Sequence, residues 1–192
     1  PRVDAVPEEA DVVMIYAPTS DISDKEKQML TDYVNKGGKL LVIAGPTEEG
    51  ILENLYSILG DYEITAHEGI VIEADREYYA FQAPYMLLPE LISHDITDPL
   101  IEENYFPLMP VSLGLTIEKP SRNIKGFLRT SFSAFSKISG FNLSSYEKED
   151  GDIDGPFMLA VSIDNDKEGR IVWFTSSSFL DDLYNAYSSG AN

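Results

Sequence analysis

ADVVMIYAPTSDISDKEKQMLTDYVNKGGKLLVIAGP, residues 10–46, is the stretch on which the reading of the fold turns. Residues 12–16 form an apolar, partly β-branched run and residues 40–44 form a second, so each reads as a buried strand. The segment between them carries helix signals at both ends. Ser23 with Glu26 three residues on is a capping box, in which each side chain satisfies a backbone N–H that the helix leaves free. Met29, Leu30, Tyr33 and Val34 then share one helical face, and Gly37 stands where a left-handed cap is wanted. Two strands joined by such a helix run parallel in one sheet with a right-handed crossover.

Outward from this unit, the sequence predicts a second helix over 48–59, with Thr47 as its N-cap and Ile51, Leu52, Leu55, Ile58 and Leu59 at core spacing. Residues 69–73, GIVIE, read as a third strand. The βαβαβ order predicts an α/β domain, an open and mostly parallel sheet with helices on both faces. Residues 74–120 are broken by six prolines between Pro84 and Pro120 and read as a long irregular excursion, with strands near its end at 111–117 and 126–130. Residues 131–148 read as a surface loop. The runs 157–163 and 170–175, separated by DNDKEG, predict an antiparallel C-terminal hairpin, and Ser178 is placed as cap of a closing helix. One domain over 1–192 is expected, with irregular insertions over 74–156. Because the chain opens on Pro1 after no methionine, with a polar lead-in over 1–9, it is read as a piece of a longer protein.

Composition narrows the function. Fourteen basic against 33 acidic residues give a net charge of −19, which repels phosphate backbones and anionic headgroups, so nucleic acid is not expected as a partner. With no cysteine in 192 residues, disulfides, thiolate metal sites and cysteine nucleophiles are excluded. No run approaches the roughly 18 apolar residues that a bilayer crossing requires.

Several short motifs follow the opening unit in order: His94-Asp95-Ile96-Thr97 with Pro99-Leu100, Leu128-Arg129-Thr130-Ser131, residues 155–161 (GPFMLAV), and residues 169–172 (GRIV) with Ser176 to Phe179. Together with the APTSDIS turn and the GGKLLVIAGP strand, they resemble the auxiliary domain of gliding-motility-associated (GldG-like) ABC transporter proteins over nearly the whole chain. The resemblance implies a flavodoxin-like fold akin to class I glutamine amidotransferase domains. It also implies a membrane-anchored protein that presents this domain outside the cytoplasm beside an ABC permease and ATPase. The chain departs from the family at Thr175-Ser176-Ser177, where such proteins often carry a Gly-Asp-Ser turn.

Chemistry is sparse. An amidotransferase-like hydrolase needs a cysteine beside a histidine, and none exists. A serine version has only His67 and His94 as bases and no G-x-S-x-G elbow. His94, in the polar turn Ser93-His94-Asp95, is the one histidine worth following, and a loop histidine bonded to backbone is its plainer reading. Asp150, Asp152 and Asp154, with Gly155, match the first half of an EF-hand loop, and residues 164–169 repeat the half-pattern. Their twelfth positions, Val161 and Thr175, supply no bidentate carboxylate, so turns are the better reading and no metal is expected. The strand-end turns Pro18, Thr19, Ser20 and Gly45, Pro46, Thr47 are the default ligand crevice of an open α/β sheet, although they lack phosphate-cradling glycines. No cofactor is expected. Tyr78, Tyr79, Phe81 and Tyr85 either line a sugar or peptide groove or pin the excursion to the sheet. The resulting expectation is a non-catalytic domain working in assembly or ligand presentation. The alternatives are a serine- or metal-dependent hydrolase and a small-molecule or glycan binding module.

Overall fold

The computed structural model describes residues 5–192, so residues 1–4 of the expected lead-in lie outside the described residues. The opening unit comprises β1 (Val13–Tyr16), α1 (Asp24–Asn35) and β2 (Lys39–Ile43). The capping box is present, with Ser23 N–H donating to Glu26 at 2.8 Å, and Gly37 takes φ +94°. Next come α2 (Glu53–Gly60), β3 (Ile64–His67) and β4 (Ile70–Ile72). The excursion holds β5 (Met86–Leu87), β6 (Glu90–Leu91), α3 (Asp98–Glu103) and β7 (Met109–Pro110). It leads into β8 (Gly114–Ile117), β9 (Ile124–Arg129), β10 (Phe135–Lys137) and β11 (Ile153–Asp154). The chain closes with β12 (Met158–Asp164), β13 (Arg170–Phe174) and α4 (Asp182–Tyr187).

The expected fold class is overturned by the strand pairing. In the main sheet, of order β1-β2-β13-β12-β8-β3, only β1 with β2 and β2 with β13 run parallel. The β12–β13 hairpin, the β9–β12 and β6–β9 pairs and the β8–β3 edge are all antiparallel. β4 leaves this sheet altogether and joins β10 and β11 in a second, antiparallel one. The molecule is therefore a mixed, strand-rich fold of several sheets, and the flavodoxin-like or class I glutamine amidotransferase-like reading is withdrawn.

The physical reason is that the place beside β2, where a third parallel strand would dock, is taken by β13 of the late hairpin. Apolar alternation after α2 marks residues 69–73 as a strand, but it carries nothing about which strand will be its neighbour. Gly69 redirects the chain. It takes φ +100° with its Cα so close to the Lys137 carbonyl that a Cβ would lie 2.3 Å from the oxygen, so only glycine fits.

Helices do not cover both faces either. On one face, Leu30 and Val34 of α1 and Leu55, Tyr56, Ile58 and Leu59 of α2 pack against Leu40, Val42, Val161, Ile171 and Trp173. The other face is covered by pieces of the excursion and the small sheets, with Leu87, Met109, Val71 and Phe157 closing over Ile43, Phe127 and Leu159. The period-two alternation of β13 divides its side chains between these cores: Ile171 and Trp173 face the helices, Val172 and Phe174 the excursion.

Three local expectations also change. α2 begins at Glu53, and Thr47 closes a tight turn with Gly50 instead of capping it, its hydroxyl donating to the Gly50 carbonyl at 2.8 Å. The loop expected over 131–148 contains β10, whose Phe135, Ser136 and Lys137 are buried. The last helix starts at Asp182, with Asp181 and not Ser178 at the cap position.

Candidate functional site

At the strand ends, several of the free backbone N–H groups are taken by the protein's own side chains. The preceding residue Leu52 gives α2 no side-chain cap, so the N–H groups of its first turn need an acceptor from elsewhere. Asp21, in the turn after β1, supplies it: Asn54 N–H donates to one carboxylate oxygen at 2.7 Å and Leu55 N–H to the other at 3.0 Å. Gly45 N–H donates to Ser177 Oγ at 2.7 Å, and a Cβ on Gly45 would lie 2.8 Å from the Ser177 nitrogen. Pro18, Thr19 and Ser20 sit at the β1 end, and Gly45, Pro46 and Thr47 at the β2 end. Of these, Pro46 and Thr47 line a hollow of about 260 Å³ with Glu48, Glu68 and Phe141. The turn that departs from the family pattern is consumed in the same way. Thr175 Oγ1 donates to the Leu159 carbonyl at 2.9 Å and Ser176 Oγ donates to the Pro110 carbonyl.

His94 is buried and stacked on Phe127, with ring centroids 5.0 Å apart. The Ile96 N–H donates to its Nδ1 at 3.1 Å, which leaves the proton on Nε2 to be donated to Ser162 Oγ at 2.8 Å. A serine–histidine pair for catalysis requires the opposite sense, with Nε2 accepting and a carboxylate on Nδ1. Asp98, four residues on, accepts from the His94 backbone N–H at 3.0 Å and from Ser93 Oγ at 2.8 Å and makes no bond to the ring. Burial, with Lys125 and Arg170 nearby, holds the imidazole below its ordinary pKa. This histidine fixes the start of α3. His67 is held in β3 by Thr116 Oγ1 at 2.7 Å.

The acidic loop wraps a cation that the chain provides. Lys137, wholly buried, places Nζ 2.6 Å from the Glu147 carbonyl, 2.9 Å from Glu149 and 3.5 Å from Asp152. Asp152 also accepts from the N–H groups of Ile138, at 3.1 Å, and Glu149, at 2.8 Å. Asp154 pairs outward with Lys148 at 2.5 Å, and Asp150 is exposed with no ion pair among the described residues. The half EF-hand pattern thus closes on an ammonium group, and its three aspartates do not converge. Among the described residues no group of three or more His, Asp or Glu side chains is placed to hold a metal ion.

A longer groove opens in the excursion, and the sequence alone did not assemble it. Tyr78, Leu88, Pro89 and Leu91 form one wall, and Leu100 and Ile101 of α3 with Tyr105 and Phe106 form the other, around about 600 Å³. Asn104 ends α3 in the left-handed conformation, φ +57°, and throws Tyr105 and Phe106 outward, 44% and 62% exposed. A second hollow of about 390 Å³ continues past Phe106 to Leu108, Phe81 and Tyr187. Phe81 and Gln82 both take left-handed backbone angles, a costly arrangement for non-glycine residues, and this turn sets the Phe81 ring 4.9 Å from that of Tyr187. Of the four aromatics weighed from sequence, Tyr78 and Phe81 line these hollows. Tyr79 lies under Arg76 and Tyr85 packs on Tyr146. The available sequence signal was Asn104-Tyr105-Phe106-Pro107, a helix stop followed at once by two aromatics.

No protein-family model and no curated protein matches the chain. Among solved structures, the mmIFT52 N-terminal domain superposes with a TM-score of 0.67 at 17% identity, over 96% of this chain and 73% of that one. A ThuA-like protein from Bacteroides uniformis aligns at TM-score 0.41 and 12% identity, over 96% and 68% of the two chains. The cytoplasmic protein STM1381 from Salmonella typhimurium LT2 aligns at 0.47 and 15%, over 94% and 67%. The likeness to the mmIFT52 domain is one of fold. Among the described residues no helix is long and apolar enough to cross a membrane.

Proposed function

We propose that this chain is a non-catalytic binding domain of a GldG-like ABC transporter auxiliary protein, displayed outside the cytoplasm by anchoring segments that lie beyond this sequence. The observation that carries the reading is where the family-like motifs fall. His94 to Thr97 with Pro99-Leu100 orders the start of α3, a wall of the open groove, through the His94–Ser162 and Asp98–Ser93 bonds. Thr130 and Ser131 anchor the framework below it: Phe157 N–H donates to Thr130 Oγ1 at 2.9 Å, and Ser131 Oγ donates to the buried Glu73 carboxylate at 2.6 Å. The motifs therefore build a scaffold that holds an exposed aromatic surface, and both imidazoles, with Ser162 and Thr116 beside them, are engaged in structural bonds. The function that suits this is assembly with, or ligand presentation to, a permease and ATPase. Affinity purification of the full-length protein from membranes in mild detergent recovers permease and ATPase subunits in stoichiometric amount on this reading; recovery of neither refutes it.

A further inference from the structure

We infer that the Tyr105–Phe106 groove is the docking site for a short segment of a partner protein bearing one or two bulky apolar side chains flanked by lysine or arginine. The inference rests on the binding-domain reading and adds the surface and the chemistry of what it takes. The groove is open along its length and continues into the second hollow, with Leu88, Asn104, Tyr105 and Phe106 lining both. That shape suits a chain laid across it better than a small molecule enclosed by it. Ile101, Tyr105, Phe106, Phe81 and Tyr187 are 42–62% exposed, large side chains of the kind that anchor interfaces.

Charge selects the occupant. Glu77 lines the groove, and α3 carries Glu102 and Glu103 exposed; none of the three has an ion pair among the described residues. Of the neighbouring cations, Arg129 is paired with Glu90 at 2.6 Å, while Arg76 lies over the Tyr79 ring and keeps its charge. Glu102 and Glu103 lie on the groove-forming helix outside the lining, so the acids around the groove, Glu77, Glu102 and Glu103 against Arg76, leave a negative excess on a molecule of net charge −19. A second copy of this chain, an anionic membrane surface and nucleic acid all meet that field with like charge, whereas a basic segment is attracted and oriented by it.

Random peptides of about twelve residues displayed on phage and selected against the 192-residue chain test this directly. The expected enrichment is for a bulky apolar residue flanked by Lys or Arg. The affinity of a selected synthetic peptide falls as salt rises, and Phe106→Ser weakens it by about tenfold or more. Glu102→Lys with Glu103→Lys weakens it by about tenfold and flattens the salt dependence. Both sites are on the surface, and unchanged circular dichroism and melting establish that the variants fold. Enrichment of acidic or purely apolar peptides, binding indifferent to Phe106→Ser, absence of any enriched peptide, or a homodimer dissolved by Phe106→Ser overturns the inference. The two readings separate in one further comparison. Membrane purification that recovers the permease equally with wild type and Phe106→Ser sinks the groove alone. Loss of the permease from both, with peptide selection succeeding, sinks the transporter reading alone.

Discussion

Lys137 and Asp152 form a buried ion pair, 3.5 Å apart. Both side chains are essentially sealed from solvent. Burial works against the charged Lys137, yet Glu149 and Asp152 override it and raise its pKa. Burial likewise opposes the charged Asp152, and the N–H groups of Glu149 and Ile138 with the Lys137 ammonium override that and lower its pKa. A carboxylate whose pKa is depressed by folding stabilises above its unfolded value, near 3.9, and that contribution is lost as pH falls through the lower folded value. Asp152→Asn is thus expected to lower the urea midpoint at pH 7, with the gap from wild type closing in acid below about pH 3.9. Millimolar calcium is expected to leave the wild-type melting temperature unchanged, because the ammonium already occupies the loop. A calcium-induced rise in melting temperature, or a gap that persists into strong acid, is the contrary result.

Between elements, the close approaches decide what the chain tolerates. The β12–β13 turn is docked on the end of α1: Asn165 Nδ2 donates to the Val34 carbonyl at 3.0 Å while its Oδ1 accepts from Gly169 N–H at 2.7 Å. A Cβ on Gly169 would lie 2.0 Å from the Val34 carbonyl oxygen, which is backbone and cannot move aside. A Cβ on Gly126 would instead meet the end of the flexible Met158 side chain. Gly169→Ala is therefore expected to cost about 1–3 kcal/mol in urea unfolding and Gly126→Ala clearly less; equal costs would contradict the docking. Local order of this kind was legible in sequence. The Ser23–Glu26 box, the Gly37 cap and the DNDKEG turn each act through neighbours a few residues away. Pairing partners were not, because β13 reaches its place beside β2 across more than a hundred residues, and Ile171 or Val172 would suit many neighbours equally. The groove was illegible for the same reason, since Tyr78, Leu88 and Phe106 become neighbours only after the excursion folds.

At the scale of the whole molecule, charge and an open edge oppose each other. β1 terminates the main sheet, and its outward residues Met14 and Tyr16, with Val12 just before it, are 46–52% exposed. An edge of this kind, with no lysine or proline within the strand, is a template for pairing with another chain. The net charge of −19 keeps copies apart while its field reaches about 8 Å at physiological salt, a reach that shrinks to about 3 Å at 1 M. Light scattering is expected to show the average mass rising between these salt concentrations, and Met14→Lys is expected to suppress the rise. A mass independent of salt would mean that the edge is protected by its geometry.

Asp21 has a consequence for what the start of α2 can accept. In many nucleotide-binding sheets, the free N–H groups at a strand-end helix wait for a phosphate, and the apo protein is correspondingly loose there. Here a carboxylate encoded in the chain takes that seat as soon as β1 and α2 meet. A phosphate offered to the start of α2 would first have to displace Asp21 from the Asn54 and Leu55 N–H groups.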